Sequence, residues 1–438
     1  MEENINITKK NFEKLEDNLT IPKELYDKFN NLTFEMSNLD NYIKFFYSDE
    51  LSVKYYGLIG IRKLFCLVEN NNNNNFIQKL IDIQLVPKLI NILMNCPNEL
   101  IYNSLWCLTN ICIGTTEQSM NIILNGGIDK IMFCMMNSNI EEIVIQSIWI
   151  FGNLSCDSKK VRDILFTKDI FNKILDILLS TNNINIIKQG IWAISNFLRG
   201  PNPPIYEKVK RAFDIITKIL YDSNYEDEEI LKNGYFIITR FTYKSPYNLD
   251  INNLFKVDLI PKIINLLDIN NTDIKKLLSL SILEDLSLGN NELVQKLLDN
   301  NVLDKLKQIY EGDNKNDLLI QKASLFISNI ACGNDQQKEE LINKNYLSIL
   351  INLYKENSNF KVKKESLFGI GNMIIYLIES EKYINMLINQ EDLFKIIKDN
   401  LESDDPECKS ISKQLKNMFL DLDKKNPEKN NVFSKKLE

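Results

Sequence analysis

One short phrase is written three times in this chain: Trp106-Cys107-Leu108-Thr109-Asn110, Trp149-Ile150-Phe151-Gly152-Asn153 and Trp192-Ala193-Ile194-Ser195-Asn196. These are the only three tryptophans, each is followed by Asn four residues on, and both steps, 106 to 149 and 149 to 192, are 43 residues. A fixed period of about 40–47 residues marks a helical solenoid. On a helix, residues four apart share a face, so each Trp lies one turn from its Asn and stacking turns three pairs into a ladder.

The copy at 116–156 shows the repeat unit best. A first helix over Glu117 to Leu124 is stopped by Gly126-Gly127, because glycine takes the left-handed cap conformation without strain. A second runs near Ile128 to Met136, and a third, Glu141 to Leu154, carries the Trp/Asn phrase. The second-helix phrase recurs as Val86-Pro87-Lys88-Leu89, Phe171-Asn172-Lys173-Ile174 and Ile260-Pro261-Lys262-Ile263. Pro87 and Pro261 suit a first helical turn, where the missing N–H is not needed. Three helices in about 43 residues is the armadillo arrangement.

Beyond Asn196 the register passes through Phe236/Arg240, Ser281/Asp285, Leu325/Asn329 and Phe368/Asn372. The fold therefore continues while its ladder decays. The expected architecture is an all-α, right-handed armadillo superhelix of about eight three-helix repeats. It spans residues 46–420, after a lead-in over 1–45 and before a polar tail over 421–438. The run Asn70 to Asn75 reads as a low-complexity loop insertion.

Composition excludes much else. With 14 Gly and 10 Pro in 438 residues, no Pro/Gly/Ser-rich linker divides the chain. The chain has no histidine, which removes the usual general base, Ser-His and Cys-His pairs and His-containing metal sites. There is no nucleophile–base set, phosphate-cradling Gly loop or metal-ligand spacing, so neither an enzyme nor a cofactor is expected. The eight cysteines are scattered and read as reduced core residues. No apolar run is long enough to cross a membrane, and the N-terminus has no signal-peptide pattern. A net charge of −7 argues against direct nucleic-acid binding and for a basic partner.

Three blocks resemble one family, importin-α: 106–119, Gln146 to Asp157, and Trp192 to Pro204. The resemblance implies a nuclear-import adaptor, present in cytoplasm and nucleus, whose third helices line a concave groove for a Lys/Arg-rich nuclear localisation signal. Indoles at Trp106, Trp149 and Trp192 would form slots for Lys or Arg stems, with cation–π attraction of about 0.5–2 kcal/mol each. Asn110, Asn153 and Asn196 would hydrogen-bond an extended peptide backbone. The family's lysine pocket maps to Gly114, Thr115 or Ser119, and Asp157, and Gln146 also matches.

The resemblance also implies departures. At the family's second peptide site, Asn329, Glu365, Phe368 and Asn372 remain, but Leu325 and Phe368 replace Trp, and Lys322 stands where an acid is usual and would repel a basic ligand. In the fifth repeat Arg240 and Asn233 replace an aromatic and an acid. Residues 1–45 lack the family's basic importin-β-binding segment, so full-length protein is expected to bind peptide as tightly as a version starting near residue 45. Importin-β and an export receptor are the partners to seek. The alternative reading is a cytosolic armadillo scaffold or chaperone that shields basic segments without transport.

Overall fold

A computed structural model describes residues 34–67, 73–199, 202–222, 226–242, 259–312, 316–379, 384–425 and 431–437. The expectations for residues 1–33 lie outside this set. The described residues form helices with no strand among them.

The expected triplet is present at Thr116–Leu124, Gly127–Asn137 and Glu141–Ser155. Its punctuation repeats as regularly as its helices. The residue before the second helix has a left-handed backbone at Gln84 (φ 61°), Gly126 (73°), Asp169 (59°), Asn301 (61°) and Asn345 (66°). Only Gly126 adopts it freely, since a side chain in this region costs roughly 1–2 kcal/mol. First helices begin on polar caps. Thr115 and Gln118 form a capping box, as do Asn334 and Gln337. Each glutamine also donates from Nε2 to a backbone carbonyl of the preceding repeat, Gln118 to Asn74 and Gln337 to Asn291, both at 2.8 Å.

The chain divides into two compact bodies, one of residues 1–220 with 225–237, the other of 221–224 with 238–438. In the first, the third helices Leu51–Leu67, Asn98–Ile111, Glu141–Ser155 and Ile184–Phe197 pack each on the next. In the second, Asp273–Ser287, Asp317–Ala331, Phe360–Glu379 and Pro406–Lys425 do the same. The core of each body is the line between these helices and the second helices beside them, where Leu105, Ile148, Ile191, Leu280, Ile327 and Ile370 are fully buried. One ion pair recurs within each body. A lysine at the end of a first helix meets an aspartate in the first turn of the preceding second helix, as Lys79–Asp40 (3.3 Å), Lys168–Asp129 (2.9 Å) and Lys344–Asp304 (2.7 Å).

The structure corrects the sequence reading at both ends. Leu39–Phe46 is already a helix, burying Leu39, Tyr42 and Phe46 against Leu51–Leu67, so packed structure starts inside the expected lead-in. A further third helix, Pro406–Lys425, extends the array past the eighth repeat. Val432–Leu437 packs back on it through Phe433 and Leu437, so the described residues beyond 420 are helical and packed rather than the polar tail expected. Two apolar residues suffice because Phe433 meets Phe419 (5.1 Å between ring centres) and Phe394 (6.0 Å). Asn73–Asn75, expected in a loop, open the helix Asn73–Asp82.

Candidate functional site

The three tryptophans occupy equivalent places on consecutive third helices, each one turn before its asparagine. They are not open slots. Relative exposure is 6% at Trp106, 1% at Trp149 and 2% at Trp192, and 3%, 0% and 0% at Asn110, Asn153 and Asn196. A large indole left bare would forfeit about 25 cal/mol for each Å² of apolar surface, which favours covering it.

Each rung has its own neighbour. The Arg62 guanidinium, itself buried, lies 4.0 Å above the Trp106 ring, with Tyr102 against that ring edge-on. Trp149 Nε1 donates to Gln189 Oε1 at 2.5 Å. Trp192 rests on Gly152, where a Cβ would fall 2.9 Å from Cη2 and closer still to Cζ3. The glycine of the second phrase is thus the floor under the indole of the third. At the fourth rung the Arg199 guanidinium stands 4.3 Å over Phe236 and donates to Ser195 Oγ (3.3 Å) and Asn233 Oδ1 (3.1 Å).

The last asparagine of the ladder also engages the protein. Asn196 donates from Nδ2 to the Gly152 carbonyl at 3.2 Å, while its Oδ1 is buried with no partner among the described residues. Gln146 is buried and accepts from Thr109 Oγ1 at 3.0 Å, tying two third helices together.

Two of the residues that the resemblance assigns to a lysine pocket, Ser119 and Asp157, lie side by side. Ser119 Oγ, from one repeat, donates to Asp157 Oδ1 of the next at 3.3 Å, and Gly114 lies in the turn just before the Ser119 helix. Thr115 is spent on its capping box, so Ser119 is the hydroxyl that faces Asp157. A half-buried carboxylate beside a hydroxyl is a suitable acceptor pair for an ammonium group.

In the second body the stripe Leu325, Asn329, Glu365, Phe368 and Asn372 is half-buried. Asn329 Nδ2 donates to Ser287 Oγ (2.9 Å) and Asn372 Nδ2 to Cys332 Sγ (3.0 Å). Lys322 is not the bare repelling charge expected from the sequence. It pairs with Glu284 at 3.0 Å, both side chains being mostly buried, so its charge is met within the protein. Burial pushes the Glu284 carboxyl up to about 7 against the pull of Lys322, with Asp285 and Glu365 adding to the rise. Asp285 itself accepts from Thr242 Oγ1 at 2.8 Å.

The chain is 25% identical over 307 residues to importin subunit alpha-3 of Arabidopsis thaliana, covering 70% of this chain and 48% of that protein. The chain is importin-α-like. It is also 33% identical over 100 residues to importin subunit alpha-1 of Schizosaccharomyces pombe, 23% of this chain and 17% of that one. The matches thus span half or less of these relatives' length. No protein-family profile matches. The crystal structure of an engineered protein superimposes with a TM-score of 0.70 at 16% identity, covering 91% of this chain and 94% of that one, a likeness of fold.

Among the site residues, Arg62, Gln189 and Arg199 escaped the sequence reading. Arg62 had a signal: it lies 44 residues before Trp106, at the tryptophan's own place in the repeat.

Proposed function

We propose that this importin-α-like protein is a nuclear-import adaptor that binds the Lys/Arg-rich localisation signal of a cargo protein along the ladder Trp106/Asn110, Trp149/Asn153 and Trp192/Asn196. The observation that carries this reading is the Ser119–Asp157 pair, built across two repeats beside those rungs. A ligand lysine would place its ammonium between Ser119, Asp157 and the carbonyl of Gly114, and its neighbours would lie along the ladder. A charge-assisted hydrogen bond contributes about 1.5–3 kcal/mol and each cation–π contact about 0.5–2. Micromolar affinity needs about 8 kcal/mol, so several contacts must act together. The stripe at Asn329, Glu365, Phe368 and Asn372 is a weaker second site in this reading. Import would require importin-β, and return an export receptor, so the protein would be found in both cytoplasm and nucleus.

The test is fluorescence anisotropy of a Lys-rich peptide with wild type, Asp157→Lys and Trp149→Ala. Micromolar binding by wild type with most of it lost in both variants is expected. Wild-type binding that survives Asp157→Lys would sink the reading.

The burial of the ladder favours a second reading, an armadillo scaffold that holds protein partners without transport and uses the tryptophans as core. Recovery of importin-β with the tagged protein from a cell extract supports the adaptor, and its absence supports the scaffold.

A further inference from the structure

The second body holds a cavity of about 340 Å³ beside the start of helix Asp273–Ser287 and the end of helix Val302–Glu311. That volume is in the range of small-ligand sites. Ile269, Ile309 and Leu319 are its apolar walls, and Lys276 and Gln308 bring side-chain donors to it. Lys276 is the anomaly among them. It is only 8% exposed, its one hydrogen bond goes to the Ile269 carbonyl at 2.9 Å, and it forms no ion pair among the described residues. An ammonium has three N–H donors and no acceptor, so most of its capacity is left to whatever the cavity takes in.

The repeat register makes the residue harder to explain by packing. Lys276 stands five residues before the ladder position Ser281, and the same place holds Val144, Ile187, Leu231 and Ile320 in other repeats, all buried aliphatic residues. In the eighth repeat it is Lys363, but that side chain is only half-buried and has the Tyr354 ring 5.5 Å away. The fold therefore asks for an aliphatic residue at 276. A charge taken out of water without a counter-ion is costly, and a bound anion removes that cost.

We propose that Lys276 anchors the carboxylate of a small ligand whose short aliphatic part lies against Ile269, Ile309 and Leu319. The Gln308 amide, on an exposed residue of the same wall, is the second donor. Asp273, also on the wall, accepts from Asn316 Nδ2 at 2.7 Å, and its negative charge favours a monoanion over a doubly charged phosphate. The site is separate from the Ser119–Asp157 pair, which belongs to the first body, and it stands whether or not the chain binds basic peptides.

The experiment follows thermal melts of the full chain, wild type and Lys276→Met, in sodium butyrate, in inorganic phosphate and in sodium chloride at equal ionic strength. An acetylated peptide ending in leucine is added as the free acid and as the amide. In chloride, Lys276→Met is expected to melt at or above wild type, because it restores the aliphatic residue. Butyrate at about tenfold its Kd is expected to raise the wild-type midpoint by about 3–6 °C and to leave Lys276→Met where chloride leaves it. A response to the peptide acid but not to its amide also supports the site, and whichever acid binds more tightly tells a free metabolite from a chain terminus. Should Lys276→Met fail to fold, Lys276→Gln takes its place as the neutral variant. If wild type and the neutral variant respond alike to every carboxylate, the site is overturned. If phosphate stabilises wild type better than butyrate does, the carboxylate assignment falls.

Discussion

Gly152→Ala asks whether the ladder is packed as described. A Cβ at this position would meet Trp192 at Cζ3, at Cη2 (2.9 Å) and at Cε3 (3.1 Å), whereas carbon atoms rest at about 3.5–4.0 Å. Indole and helix must therefore separate by about 0.6–1 Å. Neither can yield by rotamer change, since the ring is planar and almost fully buried and the opposing atoms belong to helix backbone. Overpacking of this kind costs about 1–3 kcal/mol, and the rigid partners put it in the upper half of that range. Alanine recovers about 1 kcal/mol in helix propensity, leaving a net loss of about 1–2 kcal/mol, or roughly 2–8 °C in the melting of a body of this size. The chain has three tryptophans, so a Trp106→Phe/Trp149→Phe background isolates the emission of Trp192. Expected are a lower midpoint and a red-shifted Trp192 band. Gly126→Ala is the control: its φ of 73° disfavours alanine, but no atom lies within 4 Å, so stability falls with no change in emission. An unshifted Trp192 band and an unchanged or raised midpoint in Gly152→Ala would refute the packing.

Three further outcomes are expected. Glu284, with a carboxyl raised from 4.5 to about 7, binds its proton more tightly folded than unfolded; its contribution is complete below about pH 4.5 and is lost as pH rises through 7, by roughly 3 kcal/mol at 1.36 kcal/mol per unit. Thermal melts between pH 5 and 8 should fall less steeply for Glu284→Gln than for wild type, and parallel curves would contradict this. Phe433→Ala should cost about 3 kcal/mol locally, read as faster amide exchange over 406–437 with the rest of the chain protected as before; exchange unchanged there would mean that Val432–Leu437 is not docked. Gln118→Ala removes both a capping box and the bridge to the Asn74 carbonyl, so a loss of about 1–3 kcal/mol is expected in denaturant titration, and none at all would show the bridge to be idle.

The repeating core could be read from the sequence because three identical Trp-to-Asn spacings leave the register no freedom, and glycine at 126 marks a turn that only a left-handed residue can make. The same turn at Gln84, Asp169 and Asn345 carries a weaker mark, since Asp and Asn enter this region more readily than other side chains but are common elsewhere, and Gln has no such preference. The pairing of Ser119 with Asp157 followed from the family pattern; which hydroxyl faces the acid did not, because Thr115 is equally polar and only its capping geometry removes it. Arg62 was hidden for a different reason. A charged residue in an apolar helix reads as surface, and only a neighbouring indole from the next repeat makes its burial favourable. The C-terminal helix was missed because its two buried residues, Phe433 and Leu437, are separated by lysines and serine.

The recurring lysine–aspartate pairs at Lys79–Asp40, Lys168–Asp129 and Lys344–Asp304 join one repeat to the one before it, and their side chains are between a third and nine-tenths exposed. Exposed pairs contribute about 0–1 kcal/mol and are screened by salt, so they add little to the strength of any single repeat. They act on the seams. Dissolved salt is therefore a weak dial on how strongly one repeat feels the state of the next: raising the ionic strength removes at most about 1 kcal/mol from each such seam and leaves the apolar helix contacts in place.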